Sequence, residues 1–252
     1  MAETERKDPV VELLQRLARA ASRKRVKPAP EEGLLASYID HTLLRADATP
    51  EQVERLCEEA VERSFAAVCV GGVYVRRCAR LLKGKGVAVC TVAGFPLGAS
   101  TPTAKLFETV RALEDGADEV DAVIAVGPLL GGDEAHVARE LEALARAAHA
   151  AGGRLKAILE CALLDEALKV RAAELARDAG CDFVKTSTGF AAGGATVEDV
   201  ALLRRTVGDA VGVKAAGGIR DAAVARALIE AGADRLGCSA SVALVEAEPA
   251  PG

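Results

Sequence analysis

The sequence predicts an α/β protein built as a single (β/α)8 (TIM) barrel with a short N-terminal helical extension. Eight short apolar segments, each with the length of a buried strand, alternate with helical patterns along the chain. Strands that alternate with helices pair in parallel through right-handed crossovers. A length of 252 residues suits one such barrel. A doubly wound open sheet is the alternative, but the G-x-G-x-x-G turn that usually follows its first strand is absent.

The individual elements are predicted from strand composition and from helix-capping residues. Thr49-Pro-Glu-Gln52 combines an N-cap, a proline in the first helical turn and a capping-box glutamine, and Thr196 begins another helix in a similar way. Alanine-glycine pairs at 151–152, 179–180 and 231–232 predict the ends of three helices. The predicted strands are 38–42, 66–70, 88–93, 119–126, 155–160, 182–186, 211–215 and 234–237.

Residues 1–32 are predicted to be an N-terminal extension and linker, and residues 33–252 the barrel, which is the catalytic domain. Residues 9–21 can form an amphipathic helix, which is followed by a basic stretch and the proline-rich Lys27-Pro-Ala-Pro30. We interpret this extension as a solvated tail or as a helix that caps one end of the barrel, rather than as a binding arm.

Composition and charge exclude several classes of function. Apolar residues make up 50% of the chain and charged residues 27%, which suffices for a full core and a soluble surface. The formal net charge of −5 argues against a nucleic-acid partner. No apolar run approaches the roughly 18 residues of a membrane span, and the N-terminus has no apolar signal core. We therefore expect a cytoplasmic protein with no membrane partner.

Cysteines and histidines do not form a metal-binding pattern. The seven cysteines stand singly, without C-x-x-C spacing, so we expect reduced thiols that pack in the core. His41 has the parity of an outward-facing residue of the first strand, and His136 and His149 fall in one surface helix. With three histidines so dispersed, no metal site is predicted.

Two lysines are the strongest candidates for chemistry. Lys185 and Lys214 each stand at the C-terminal end of a predicted strand, and each is followed by a glycine-rich turn. The strand ends of a barrel converge on its catalytic face, so both side chains could reach one central site. Burial and a second positive charge each lower the pKa of an ammonium group. A neutral lysine attacks carbonyl groups, so the pair predicts Schiff-base chemistry; two lysines that extend to solvent are the alternative.

Three polar residues could accompany the lysines. Asp121 lies inside the apolar segment Glu119-Val-Asp-Ala-Val123, and a buried aspartate needs a partner such as an interior lysine. It could shuttle protons through a bound water and orient a lysine, or it could form only a structural ion pair with one of them. Asp40 and Thr42 share one face of the first strand and could hydrogen-bond a substrate hydroxyl or a catalytic lysine.

Glycine-rich turns near the ends of the last three strands suggest a phosphate site. Gly217-Gly-Ile-Arg220 follows the seventh strand and Gly237-Cys-Ser-Ala-Ser241 follows the eighth. Barrels often bind phosphate at these two loops through backbone N–H groups. Ser239 could add a hydroxyl and Arg220 a positive charge, and Ser187-Thr-Gly189 could close a third side of the site.

Six motifs resemble the deoxyribose-phosphate aldolase family over about residues 34–245. They are Ile39-Asp-His-Thr-Leu43, Gly94-Phe-Pro-Leu-Gly98, Gly116-Ala-Asp-Glu-Val-Asp121, Lys185-Thr-Ser-Thr-Gly-Phe190, Gly193-Gly-Ala-Thr196 and Gly212-Val-Lys-Ala-Ala-Gly-Gly-Ile-Arg220. The resemblance implies a class I aldolase that reversibly cleaves 2-deoxy-D-ribose 5-phosphate to D-glyceraldehyde 3-phosphate and acetaldehyde, in deoxyribonucleoside catabolism. It also implies that no metal or organic cofactor takes part.

The same resemblance implies roles for individual residues. Lys185 would be the Schiff-base lysine, Lys214 the neighbouring cation that favours its neutral form, and Asp121 the proton-transfer residue. The residues that would hold the 5-phosphate are Gly189, Gly217, Gly218, Gly237 and Ser239. Barrels of this family commonly associate, so we expect a homo-oligomer, either a dimer or a tetramer.

Three positions depart from the family's pattern. Gly71-Gly72 stands where the family usually has Asn-Pro, Ala125 where it has asparagine, and Phe190 where some members have lysine. The first two bear on positioning near strands two and four, and the third on phosphate affinity.

Two other functions are consistent with the residues. One is another Schiff-base barrel, such as a transaldolase, and the other is a non-catalytic phosphate-binding barrel that forms no imine.

Overall fold

The strands close into a complete barrel. The structure is a computed structural model that describes residues 34–247. Within these residues, eight parallel strands are hydrogen-bonded in chain order and the first pairs with the last. The predicted fold class, a (β/α)8 barrel, is thereby confirmed. The extension and linker predicted over residues 1–32 lie outside the described residues.

All eight predicted strands are present, with some ends shifted. The fourth strand is predicted to reach residue 126 but ends at Val123, because a short helix begins at Val126. The fifth ends at Ile158 rather than at residue 160, because Glu160 has a left-handed backbone with a φ of 55°. The strands are β1 (Ile39–Leu43), β2 (Ala67–Val70), β3 (Ala88–Ala93), β4 (Glu119–Val123), β5 (Arg154–Ile158), β6 (Phe183–Lys185), β7 (Gly212–Ala216) and β8 (Arg235–Cys238).

Helices cover the outside of the barrel, and their starts follow the capping residues. The Thr49 hydroxyl accepts a hydrogen bond from the N–H of Gln52, whose side chain accepts one from the N–H of Thr49, so the predicted capping box is confirmed. Thr196 likewise accepts from the N–H of Asp199. Glycines with left-handed φ confirm the three predicted helix ends: Gly152, Gly180 and Gly232. The helices are α1 (Pro50–Glu62), α2 (Val75–Leu81), α3 (Pro102–Asp115), α4 (Val126–Leu130), α5 (Glu134–Ala150), α6 (Glu166–Asp178), α7 (Val197–Val207), α8 (Ala222–Glu230) and α9 (Ser241–Glu246). None of the helices within residues 34–247 is long and apolar enough to cross a membrane.

Two layers of different composition flank the strands. Outward-facing residues such as Val120 and Ala122 pack against the helices in the main apolar core. Inward-facing Glu119 and Asp121 of the same strand are charged and fully buried. The interior of the barrel is therefore polar, and the apolar contacts that stabilise the fold lie between the strands and the helices.

Cysteines and histidines lie where the sequence places them. All seven cysteines are buried free thiols, as predicted. The ring of His41 points outward from β1, where its Nε2 lies 2.9 Å from the Glu59 carboxylate and its centroid lies 5.2 Å from that of Phe65. Burial holds the pKa of His41 below its ordinary value of 6.5, against the opposing effect of Glu59. His149 is exposed on α5 and pairs with Asp182 at 2.9 Å.

A fully buried ion pair joins α3 and α5 to the end of β4. The ammonium of Lys105 lies 2.8 Å from the Glu140 carboxylate and donates a second hydrogen bond, also 2.8 Å, to the carbonyl oxygen of Val123. A Cβ on Gly94 would lie only 2.7 Å from the Lys105 side chain, so only glycine fits there. The pair therefore fixes two helices relative to the loop after β3 and the end of β4.

We expect Lys105→Met to lower the free energy of unfolding by about 3–5 kcal/mol, because the Glu140 carboxylate would then be buried without a cation. Urea denaturation measures the change. The double variant Lys105→Met/Glu140→Leu should recover most of the loss, since it buries no charge. Glu142→Gln, which breaks the exposed pair with Arg146, is the matched control and should cost less than about 1 kcal/mol. Equal losses in the single and double variants would contradict this account.

Candidate active site

Seven ionisable side chains meet inside the barrel, between the first residues of β4 and β8 and the carboxyl end of β6. All are buried, and they form one connected network of ion pairs. Three are carboxylates and four are bases. They are Asp40 on β1, Glu119 and Asp121 on β4, Lys156 on β5, Lys185 on β6, Lys214 on β7 and Arg235 on β8. We call this set the interior charge network.

Asp121 is the centre of the network. Its Oδ2 accepts hydrogen bonds from Lys185 Nζ at 2.9 Å and from Lys214 Nζ at 2.7 Å. Its Oδ1 accepts from Lys156 Nζ at 2.9 Å and from the Cys90 thiol at 3.1 Å. Burial alone would raise the pKa of Asp121, but the three ammonium groups outweigh it and hold the pKa well below its usual range. Asp121 is therefore an ionised carboxylate with all its hydrogen-bonding capacity used.

Two buried carboxylates favour the charged form of Lys214. Its Nζ lies 2.5 Å from Asp40 Oδ2 as well as 2.7 Å from Asp121. Burial alone would lower the pKa of Lys214, but these carboxylates hold it well above its ordinary value. The expectation that burial and a neighbouring lysine lower the pKa of both lysines is therefore wrong for Lys214. The two lysines also do not extend to solvent, since the exposed fractions of Lys185 and Lys214 are 3% and 0%.

The network also contains residues that the sequence did not single out. Arg235 donates to Asp40 Oδ1 at 2.7 Å and to Glu119 Oε2 at 3.0 Å. Lys156 lies 2.5 Å from Glu119 Oε2, and its ammonium is 5.8 Å from the centre of the Phe183 ring. Two signals in the sequence could have found them. Glu119 and Arg235 each stand two positions from a predicted site residue of the same strand, Asp121 and Gly237, and therefore face the same way. Lys156 is a charged residue within an otherwise apolar segment of its strand.

A cavity of about 610 Å³ opens above the network at the mouth of the barrel. Lys185 is the member of the interior charge network that lines it. The cavity also brings together the other predicted ligand-binding residues: Thr42, Gly189, Gly217, Gly218, Arg220, Gly237 and Ser239. Asp40 lies below it, where both carboxylate oxygens are already bound to Lys214 and Arg235.

Two phenylalanines connect loops on opposite sides of the mouth. Phe190, one of the positions that depart from the family pattern, lines the cavity and is 56% exposed. Its ring meets that of Phe95 edge to face, with centroids 5.2 Å apart. The loops after β3 and β6 are thus joined by an aromatic contact where some relatives would carry a lysine.

The closed barrel, with a cavity at its mouth above a buried network of charged side chains, is typical of a barrel enzyme. Similarity to known proteins gives the particular family. Residues 34–242 match the model of the DeoC/LacD family of aldolases. The chain belongs to this family and is an aldolase, a carbon-carbon lyase, so the resemblance deduced from the sequence is confirmed.

Individual relatives cover nearly the whole barrel. The deoxyribose-phosphate aldolase of Geobacillus sp. strain WCH70 is 54% identical over 219 residues, which are 87% of this chain and 98% of the relative. That of Thermococcus gammatolerans is 51% identical over 214 residues, 84% and 95% of the two chains. The solved deoxyribose phosphate aldolase of Aeropyrum pernix, described as a tetramer, superposes with a TM-score of 0.80 at 35% identity, over 95% of this chain and 97% of its own.

Proposed function

We propose that this protein is a deoxyribose-phosphate aldolase that cleaves 2-deoxy-D-ribose 5-phosphate through a Schiff base on Lys185. The products would be D-glyceraldehyde 3-phosphate and acetaldehyde, and the reaction is reversible. The relatives named above support the substrate. One geometric observation supports the nucleophile: Lys185 is the base of the interior charge network that borders the cavity, and its Nζ lies 2.9 Å from Asp121.

The partners of the four bases single out Lys185 among them. Lys156 contacts Glu119 and Asp121, Lys214 contacts Asp40 and Asp121, and Arg235 contacts Asp40 and Glu119. Lys156 also lies 3.9 Å from Asp40, so each of these three bases contacts at least two carboxylates, whereas Lys185 contacts Asp121 alone. Four bases facing three carboxylates leave one positive charge uncompensated, and an uncompensated buried charge is costly. Lys185 is the base that can release its proton with the least loss of ion pairing.

Neutral Lys185 would attack C1 of the open-chain aldehyde and, with loss of water, form an imine. The protonated imine accepts the electron pair of the C2–C3 bond as that bond breaks. The C3 hydroxyl loses its proton and becomes the aldehyde of glyceraldehyde 3-phosphate. An enamine of acetaldehyde remains on the lysine, takes up a proton at C2 and is hydrolysed, which restores Lys185.

Asp121 and Lys214 would support these steps from below. The Asp121 carboxylate orients Lys185 and, in the role that the family resemblance implies, would exchange protons with a bound water and the substrate hydroxyl once Lys185 gives up its hydrogen bond. Lys214 supplies a fixed positive charge that keeps Asp121 ionised and disfavours a second ammonium beside it. Asp40 holds Lys214 in place. Of the two roles expected for Asp40, we therefore favour binding a lysine over binding a substrate hydroxyl.

The rim of the cavity would hold the phosphate of the substrate. Backbone N–H groups of glycine turns can approach an anion closely because no side chain intervenes. Ser239 would add a hydroxyl donor and Arg220 a guanidinium, while Thr42 borders the cavity on the side of β1. The glycines involved are Gly189, Gly217, Gly218 and Gly237.

Borohydride reduction in the presence of acetaldehyde tests the proposal. We expect one adduct, located on Lys185 by peptide mass mapping, because acetaldehyde alone can form the imine. Lys185→Ala should abolish both the adduct and the cleavage of 2-deoxyribose 5-phosphate. Lys83→Ala, which removes an exposed lysine, is the control and should retain both. Binding of phosphate without an adduct on any lysine would refute the Schiff-base mechanism.

The charge argument predicts the behaviour of Lys156→Met. This variant leaves three bases facing three carboxylates, so Lys185 could stay protonated with the network neutral. We expect imine trapping at pH 7 to slow by about tenfold or more, a change of about 1.4 kcal/mol. Lys156→Arg, which keeps the positive charge, should be closer to the wild type. Unchanged trapping in a folded Lys156→Met protein would show that the charge balance does not control Lys185.

We also infer that the protein acts in the cytoplasm, in deoxyribonucleoside catabolism, as a homo-oligomer. The Aeropyrum pernix relative is described as a tetramer, which supports assembly. Light scattering on the full chain should give a mass of two or four times 26.0 kDa. A mass of one chain at micromolar concentration would contradict the inference of an oligomer.

A further inference from the structure

Glu160 is a buried carboxylate that the mechanism above does not use. It stands just after β5 on the catalytic face of the barrel and is 3% exposed. Its backbone is left-handed, with φ 55° and ψ 61°, a conformation that residues other than glycine and asparagine seldom adopt. Strained backbone of this kind persists at functional sites, where the surrounding structure holds it in place.

All hydrogen bonds that the Glu160 side chain accepts within residues 34–247 come from Thr188. The Thr188 N–H lies 3.2 Å and 3.3 Å from the two carboxylate oxygens, and the Thr188 hydroxyl lies 2.5 Å from Oε2. No cation of the described chain pairs with this carboxylate. The position of this buried carboxyl group is therefore coupled to that of Thr188, which supplies its hydrogen bonds.

One backbone donor of the turn is left without an acceptor in the described part of the chain. Glu160 takes the N–H of Thr188, and the Thr188 hydroxyl accepts the N–H of Phe190 at 3.1 Å. The N–H of Gly189, between them, has no acceptor within residues 34–247. Gly189 is exposed, has a φ of 82° and lines the cavity beside Gly217.

We propose that Glu160 is a positioning residue that gives the aldolase its preference for phosphorylated substrates, by locking the Thr188–Phe190 turn so that the Gly189 N–H points at the phosphate. The proposal rests on the proposed function. The carboxylate does not touch the substrate; it accepts from the N–H and hydroxyl of Thr188, and that hydroxyl accepts from the N–H of Phe190, so that the Gly189 N–H remains for the anion. It acts at the phosphate end and leaves the imine chemistry of Lys185 unaffected.

Kinetics on two substrates test the proposal. In Glu160→Ala we expect the KM for 2-deoxyribose 5-phosphate to rise about tenfold, with kcat/KM for unphosphorylated 2-deoxyribose and trapping of acetaldehyde on Lys185 unchanged. Glu160→Gly should lose as much, although it relieves the left-handed backbone, because the side chain is missing. Thr188→Val should reproduce the effect, and the double variant Glu160→Ala/Thr188→Val should add little. Glu198→Ala, an exposed change on α7, is the control.

Two outcomes would overturn the proposal. One is an equal loss on both substrates, which indicates a structural role, and the other is an unchanged KM. Calorimetric titration with inorganic phosphate separates this proposal from the aldolase chemistry, because it needs no turnover. Weaker phosphate binding in Glu160→Ala and Thr188→Val would support the role of Glu160 even if the wild type formed no adduct on Lys185. If Glu160→Ala does not fold, Thr188→Val decides the question by the same measurements.

Discussion

The candidate active site depends on the mutual compensation of charges that the barrel has removed from water. Seven ionisable groups share its interior, and none could be buried alone without a large desolvation cost. Asp121 makes the arrangement possible, since its two oxygens accept from three ammonium groups and one thiol. The same contacts that keep Asp121 ionised keep Lys214 charged, so the two cannot be understood separately.

The rest of the barrel is shaped around this network. Its long charged side chains come from β1 and from β4 to β8, while β2 and β3 contribute small residues to the interior: Ala67, Cys69, Ala88 and Cys90. Gly212 has the same function on β7, because a Cβ there would lie 2.3 Å from the ring of Phe183. Small residues on some strands therefore make the room that long ones on others require. Stability comes from the apolar layer between strands and helices, which leaves the interior free for chemistry.

The sequence predicts the elements well because their signals are local. Apolar segments locate the strands, and Thr49 and Thr196 mark helix starts through contacts three residues away. The predicted fourth strand is too long because an apolar residue such as Val126 suits a strand or a helix, and here it begins α4. Residues whose role depends on distant strands were missed: Arg235 reaches Asp40 across 195 positions of sequence. The pKa of Lys214 was misjudged for the same reason, since the sequence does not show that Asp40 and Asp121 both reach this one lysine.

The partners of the bases agree with what each can do. Arg235 bridges Asp40 and Glu119 with a guanidinium that stays protonated at any working pH, and it does not line the cavity. A base that cannot release its proton suits a position where only charge and geometry matter. The base that lines the cavity is a lysine, whose protonation responds to its surroundings. Lys185 alone combines a single carboxylate partner with contact to the cavity, so the one base with least ionic support is also the one a carbonyl carbon can reach.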